Sequence, residues 1–525
     1  MRLVGASFAG SQAESRDFDG IVKEAVRQLN GEGLSKAEAE AQRETLIQGY
    51  RWILVDEYQD IGPEEYALIA AVAGRTIDDE DMKLSLFAVG DDDQNIYAFA
   101  GASIKFIRQF EQDYRAKPEF LVENYRSTRH IIEASNTVIA GAGERMKLGH
   151  DITIDRKRRK DSPGGVMEAW DPVGHGRVQL LQCPPGDRMQ AVAAVSELQR
   201  LAELQPGWNW SRTAIIARNW RQLAPVRAFA EAQGIPVEMA NESLPSLWRL
   251  REMRQFIDRI IRDRTRVLGV TDLLDFVNHM QRNRWTNLIA EGIAALAQEI
   301  GTGQVSVPDL VEWFGEWARD ARGEQRGLLL MTAHRAKGLE FDDVVILNGG
   351  WERPSRNEDL DAPRGLFYVA MTRARRSLAV MTQGPHAFVP ANGDNILRRH
   401  ATLPDARDLP PDRTYLMPVM SQVFIDWSGR LHSGDRCLAA IAEAQIGDSV
   451  ALVKDGARWS VRDLHGRALI MMKGGWNVPD GQRVVSAEVG AIVSRHAHES
   501  SEEHRSKLRR DTWEVVLPEI VLEAC

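Results

Sequence analysis

The sequence predicts an α/β protein built on parallel sheets, and three stretches carry that prediction. Tyr50-Arg51-Trp52-Ile53-Leu54-Val55 is an apolar run that ends in Asp56-Glu57-Tyr58-Gln59-Asp60. Leu84 to Val89 is a second such run, ending in Gly90-Asp91-Asp92-Asp93-Gln94. Arg212 to Arg218, a helical stretch and Gly234-Ile235-Pro236-Val237 read as strand, helix and strand. Short apolar runs alternating with helical periodicity are the pattern of buried parallel strands. Their polar ends fall at the sheet edge, where nucleotide sites form.

Adjacent carboxylates at a strand end suit phosphoryl transfer. One holds the magnesium bridging two phosphates, and a second group orients the attacking water. Asp56 is the candidate for the metal and Glu57 for the water, the alternative being a solvated turn. With 525 residues the chain has room for two to four domains with real cores. No run of eighteen apolar residues occurs, and Met1 to Phe8 is too short for a signal peptide, so no membrane span and a cytoplasmic location are expected. Cys183, Cys437 and Cys525 are too scattered for a disulfide framework or a zinc cluster. A net charge of −9 makes no global case for nucleic acid, although a basic groove on an acidic body is compatible with it.

In order, Asp17-Phe18-Asp19-Gly20 opens an amphipathic helix through Leu29, and Glu64 to Ala73 reads as another. Phe120 to Asn124 reads as a strand end, with Thr128 capping a helix from Arg129 to Ala140. Arg156-Lys157-Arg158-Arg159-Lys160 is either a backbone-tracking run or a solvated loop. Residues 245 to 320 are mostly helical, with Trp248, Phe256, Ile257, Ile260 and Ile261 as an apolar stripe. Pro385, Pro390, Pro404, Pro410 and Pro411 suggest a linker, and strands punctuated by Asp455-Gly456 and His465-Gly466 suggest a mostly β end.

Asp56-Glu57-Tyr58-Gln59-Asp60, then Gly90-Asp91-Asp92-Asp93-Gln94-Asn95-Ile96-Tyr97 with Gly101-Ala102, then Asn124-Tyr125-Arg126-Ser127-Thr128 resembles the UvrD/Rep family of superfamily 1 DNA helicases. Met331 to Phe341 and Leu366 to Arg376 are similar to the family's fifth and sixth motifs. The resemblance covers roughly residues 15 to 385 and implies RecA-like P-loop NTPase motor domains. The first, at 1–120, is incomplete. The second comprises 121–240 and 326–385, interrupted by a shortened helical insert at 241–325. A linker at 386–414 and a small, mostly β domain at 415–525 follow, the latter resembling the tail of RecQ/UvrD fusion helicases.

The resemblance implies ATP and Mg2+ as cofactors, with single-stranded DNA and 3′-tailed duplex DNA as partners, tracked in the 3′ to 5′ direction. It places Asp56 on magnesium, Glu57 on the water and Gln94 at the γ-phosphate. Arg126 and Arg373 supply charge to that phosphate, Tyr125 stacks on adenine, and Glu340 meets the ribose. Tyr97 and Phe99 stack on bases, and Thr332 and His334 lie near the DNA backbone. Phe99 stands where a Trp is usual and Ala100 where an Arg is usual, which removes one backbone contact. Asp359 to Gly365 replaces a Glu-rich lead into the sixth motif.

No Gly-Lys dipeptide occurs, so the loop that cradles nucleotide phosphates is absent from these residues. Three explanations compete. The phosphate loop belongs to an upstream segment or a fused helicase domain; the chain holds single-stranded DNA without hydrolysis; or the insert and the β tail bind a protein partner.

Overall fold

The computed structural model describes residues 18–77, 83–96, 103–143, 145–240, 245–262, 267–301, 303–320, 325–354, 360–403, 409–417 and 419–525. Strand β1 (Trp52–Val55) pairs in parallel with β2 (Ser85–Ala88), Leu54 opposite Phe87. Helices Pro63–Ala73 and Lys105–Tyr114 bury Tyr66, Phe106 and Phe110 with Tyr58 and Ile61 against one face. On the other face Trp52, Leu54 and Phe87 are 71, 77 and 59% exposed. These strands were expected to be buried. They are covered on one side only, because among the described residues the helices pack on a single face.

Strands β3 (Glu123–Asn124) and β4 (Thr153–Ile154) form a short parallel pair, so the expected strand at 120–124 shrinks to two residues. Helix Arg129–Ile139 follows β3. The main sheet takes β5 (Val178–Gln182), β6 (Thr213–Ala217) and β7 (Val237–Met239). After a two-stranded excursion, β8 (Val267–Gly269) with β9 (Gln304–Ser306), it continues through β10 (Leu328–Thr332), β11 (Phe341–Ile346), β12 (Ala374–Thr382) and β13 (Ile396–His400). Its order is β13-β5-β12-β11-β6-β10-β7, parallel throughout. Alternate residues serve opposite faces. Val178, Leu180, Ile216 and Val344 meet helices Arg129–Ile139 and Ala362–Met371, while Leu181, Ile215 and Val345 meet Asp187–Leu204 and Leu223–Ala232. β13 lies inside the stretch expected as a linker at 386–414, because Ile396 turns into the core beside Val178.

Helices Arg251–Arg262, Val270–Asn278, Arg284–Ile300 and Val307–Asp320 form the helical region. The C-terminal strands are β14 (Arg413–Leu416), β15 (Ala451–Asp455), β16 (Arg458–Arg462), β17 (Ala468–Met471), β18 (Gln482–His496) and β19 (Thr512–Ala524). They make two antiparallel sheets, β14-β19-β18 and β15-β16-β17.

Sequence reading keeps helices and tail apart, yet they share one core. Phe256, Ile260, Ile289 and Phe314 pack with Val489, Val493, Val515 and Leu517. Trp285 Nε1 donates to Gly490 O at 3.2 Å, and Arg251 pairs with Glu514 at 2.5 Å. Burying both apolar faces against each other removes more surface from water than either does alone. Ile261, read into the apolar stripe, instead points outward, 58% exposed. No helix among the described residues is long and apolar enough to cross a membrane.

Candidate functional site

β1 delivers Asp56 and Glu57, both exposed, just past its last residue. Glu57 has φ 51°, a left-handed conformation that bulky residues adopt rarely and at a cost of about 1 to 3 kcal/mol. Strain of this kind persists where surrounding contacts enforce it. Here Gln59 Nε2 donates to Glu57 Oε2, and Lys337 Nζ stands 3.4 Å from the same oxygen. Lys337 also reaches Asp60 Oδ2 at 2.5 Å and donates to Gln94 O at 3.1 Å. Burial raises the Asp60 carboxyl above its usual range, with the Lys337 ammonium opposing that shift.

The main sheet meets this point by its N-terminal edge. Phe341 pairs with Ala374, so Glu340 and Arg373 sit side by side ahead of β11 and β12. Arg126, two residues beyond β3, lies 2.5 Å from Glu340 Oε1. Arg373 is buried, donating from Nε to Val369 O at 3.0 Å and from Nη2 to Gln94 Oε1 at 3.3 Å. Burial, with the neighbouring Arg126 guanidinium adding to it, brings Arg373 down to about 10, so it keeps its charge at neutral pH. Two guanidiniums that repel each other beside an exposed acidic strand end suit a polyanion with a bound cation, so the residues present fit ATP and Mg2+. Tyr125 lies at the margin with its ring 71% exposed, its hydroxyl donating to Glu123 Oε2 at 3.0 Å.

The structure thus brings Asp56, Glu57, Gln94, Arg126, Glu340 and Arg373 to one cleft, with Tyr125 at its rim. Tyr97, Phe99 and Ala100 lie outside the described residues. Thr332 departs from expectation. It caps helix Ala333–Ala336, is 4% exposed, and its Oγ1 is buried without a partner, so it offers no surface to a DNA backbone in this arrangement. His334 next to it is half-buried.

The comparisons with known proteins point the same way. Residues 9–115 match the UvrD/REP helicase N-terminal domain, and residues 247–383 match the UvrD-like helicase C-terminal domain. Both halves of a UvrD/Rep-type helicase are thus matched within this chain. It is similar to "DNA helicase II" of Haemophilus influenzae, 35% identical over 63% of this chain and 55% of that protein. It is also similar to the "Putative ATP-dependent DNA helicase YjcD" of Bacillus subtilis, 25% identical over 64% of this chain and 53% of that protein. Against "ATP-dependent DNA helicase UvrD1" of Mycobacterium tuberculosis the identity is 48%, confined to 100 residues that make up 19% of this chain and 13% of the relative. The matched part therefore spans about half, or less, of these relatives' own length.

Two features of this chain escape a motif reading. Lys337 and Asp60 sit inside quoted motifs, but only the fold shows that they pair across the cleft. At the opposite, C-terminal edge of the main sheet lies a crevice of about 580 Å³ lined by Arg218, Asn219, Asn348, Trp351, Arg353 and His386. These residues follow three different strands, so no local signal groups them.

His386 in that crevice makes a pH prediction. Its Nδ1 accepts from the backbone N–H of Phe388 at 3.1 Å and of Val389 at 3.0 Å, which requires an unprotonated nitrogen. Burial pulls the imidazole down to about 4 from its ordinary 6.5, Glu352 opposing. The unfolded chain then holds more protons between those values, so the contribution is complete above about pH 6.5 and is lost as pH falls toward 4. His386→Gln should flatten the urea-midpoint profile over that window. An identical slope in both proteins would refute the assignment.

Proposed function

We propose that this chain is the motor portion of an ATP-dependent 3′ to 5′ DNA helicase or translocase of the UvrD type, and that it takes its phosphate loop from polypeptide beyond these residues. The observation that carries the reading is the convergence of Glu57, Gln94, Arg126, Glu340 and Arg373, from five separated segments, on one cleft. A chain that only held DNA would have no physical need for this set. The apolar face of Trp52, Leu54 and Phe87, left uncovered among the described residues, supports the second half of the proposal, since a parallel sheet is normally covered on both faces.

Within this reading Asp56 holds the metal, and Glu57 orients water and takes its proton. Gln94 senses the γ-phosphate and links the cleft to the DNA track, while Arg126 and Arg373 stabilise charge at the transferring phosphoryl group. Tyr125 stacks on the base and Glu340 accepts from the ribose. When bound, ATP would supply the scissile phosphoanhydride and Mg2+, held by Asp56, would offset its negative charge. On the DNA side, Tyr97 and Phe99 take the role of base-stacking aromatics, each contact worth about 1 to 3 kcal/mol, and His334 lies near the backbone.

The test is DNA-stimulated ATP hydrolysis by this chain, beside a longer protein carrying an in-frame Gly-Lys-Thr or Gly-Lys-Ser segment. Activity in the longer protein alone is expected. Activity in the 525-residue chain would overturn the need for an outside loop, and DNA binding without hydrolysis in either protein would favour a non-hydrolytic single-stranded DNA-binding module.

A further inference from the structure

The Asp91-Asp92-Asp93 triplet reads in sequence as a polar turn, and its carboxylate oxygens lie within 4.8 Å of one another. The fold gives it a different role. Residues 145–147, beyond helix Arg129–Ile139, engage the three aspartates one for one. Arg145 grips Asp93 with two bonds of 2.8 Å, the side chains being 6 and 2% exposed. Met146 N donates to Asp92 Oδ2 at 2.6 Å. Lys147 Nζ bonds Asp91 and stands 3.1 Å from Asp93. Protein cations and an amide thus occupy the oxygens that a metal would need.

From Asp91 two hydrogen-bonded branches run to the cleft. Along one, Gln94 Nε2 donates to Asp91 Oδ2 at 2.8 Å, while Gln94 Oε1 receives Arg373. Along the other, Asp91 N donates to Gln59 Oε1 at 2.8 Å, and Gln59 Nε2 donates to Glu57. Gln59 is fully buried, so its amide is held between these two partners.

We propose that Lys147 is a positioning residue which, through Asp91, sets the side chains of Gln94 and Glu57, and so makes the nucleotide edge of the β1–β2 sheet depend on the docking of the segment at 145–147. Arg145 anchors the same segment on Asp93 without reaching Gln94. The proposal rests on the hydrolytic reading above for the roles of Gln94 and Glu57, but its geometry stands apart from that reading. Burial opposes the Lys147 charge, yet Asp91 and Asp93 outweigh it and hold the ammonium above the ordinary lysine range.

The test compares Lys147→Met with Arg145→Met in the full chain by hydrogen–deuterium exchange and mass spectrometry. Each variant removes one buried cation from the same cluster. In Lys147→Met the amides of residues 91–95 should exchange about tenfold faster or more, with helix Pro63–Ala73 and strand β19 unchanged. Arg145→Met should loosen Asp93 with a clearly smaller effect at Gln94. Equal acceleration in both variants, or acceleration spread evenly over 18–114, would mean the cluster is only structural and would overturn the proposal.

A fluorescent ATP analogue provides a second measurement, in which Lys147→Met and Lys147→Met/Gln94→Ala should bind alike. Additive losses would count against the proposal. If the wild-type chain binds no analogue, it is the hydrolytic reading that has lost support, and the exchange comparison still decides the positioning role.

Discussion

Arg373→Ala should lower DNA-stimulated ATP turnover by about 10³- to 10⁵-fold, the range associated with an arginine that stabilises charge on a transferring phosphoryl group. Arg373 is buried, its Nε is tied to Val369 O, and its Nη2 meets Gln94 Oε1, so the fork is held in place before any ligand arrives. Lysine is a poor substitute, since it carries charge without the planar pair of donors. Arg373→Lys should therefore recover only a small part of the loss. Steady-state hydrolysis with saturating single-stranded DNA checks this in whichever protein, the chain or its longer form, turns ATP over. Turnover within a factor of about ten of wild type in Arg373→Ala would remove Arg373 from the transition state.

Glu57→Gln is the second large effect. Its turnover should fall by about 10² to 10⁴, the usual contribution of a positioned general base. Nucleotide binding should be kept, because the amide still accepts from Gln59 and preserves the side chain's shape. The separation of the two effects is the informative part. A variant that binds a fluorescent nucleotide like wild type and fails to hydrolyse ATP places Glu57 on the water. One that loses binding instead assigns it to holding the cofactor, beside Asp56.

Much of this protein is legible before any coordinates. The apolar run within Arg212 to Arg218 becomes the central strand β6 because its alternate residues feed two cores. The acidic end of β1 is readable because a strand needs no partner information to announce where it stops. Family motifs name Glu57, Gln94, Arg126, Glu340 and Arg373 for the same reason, each lying in a short contiguous pattern.

What tertiary structure decided is who meets whom. Arg373 and Gln94 are 279 residues apart, and Arg145 and Asp93 are 52 apart. A charged side chain carries no sequence mark of its partner, because pairing follows from how layers dock after local structure has formed. That is why the aspartate triplet reads as a turn and proves to be a buried ion cluster, and why Thr332 matches a motif yet lies under the surface. It is also why the helical region and the C-terminal strands, well separated in sequence, share a core. Amphipathic periodicity states that a face must be buried, and only the fold states against what.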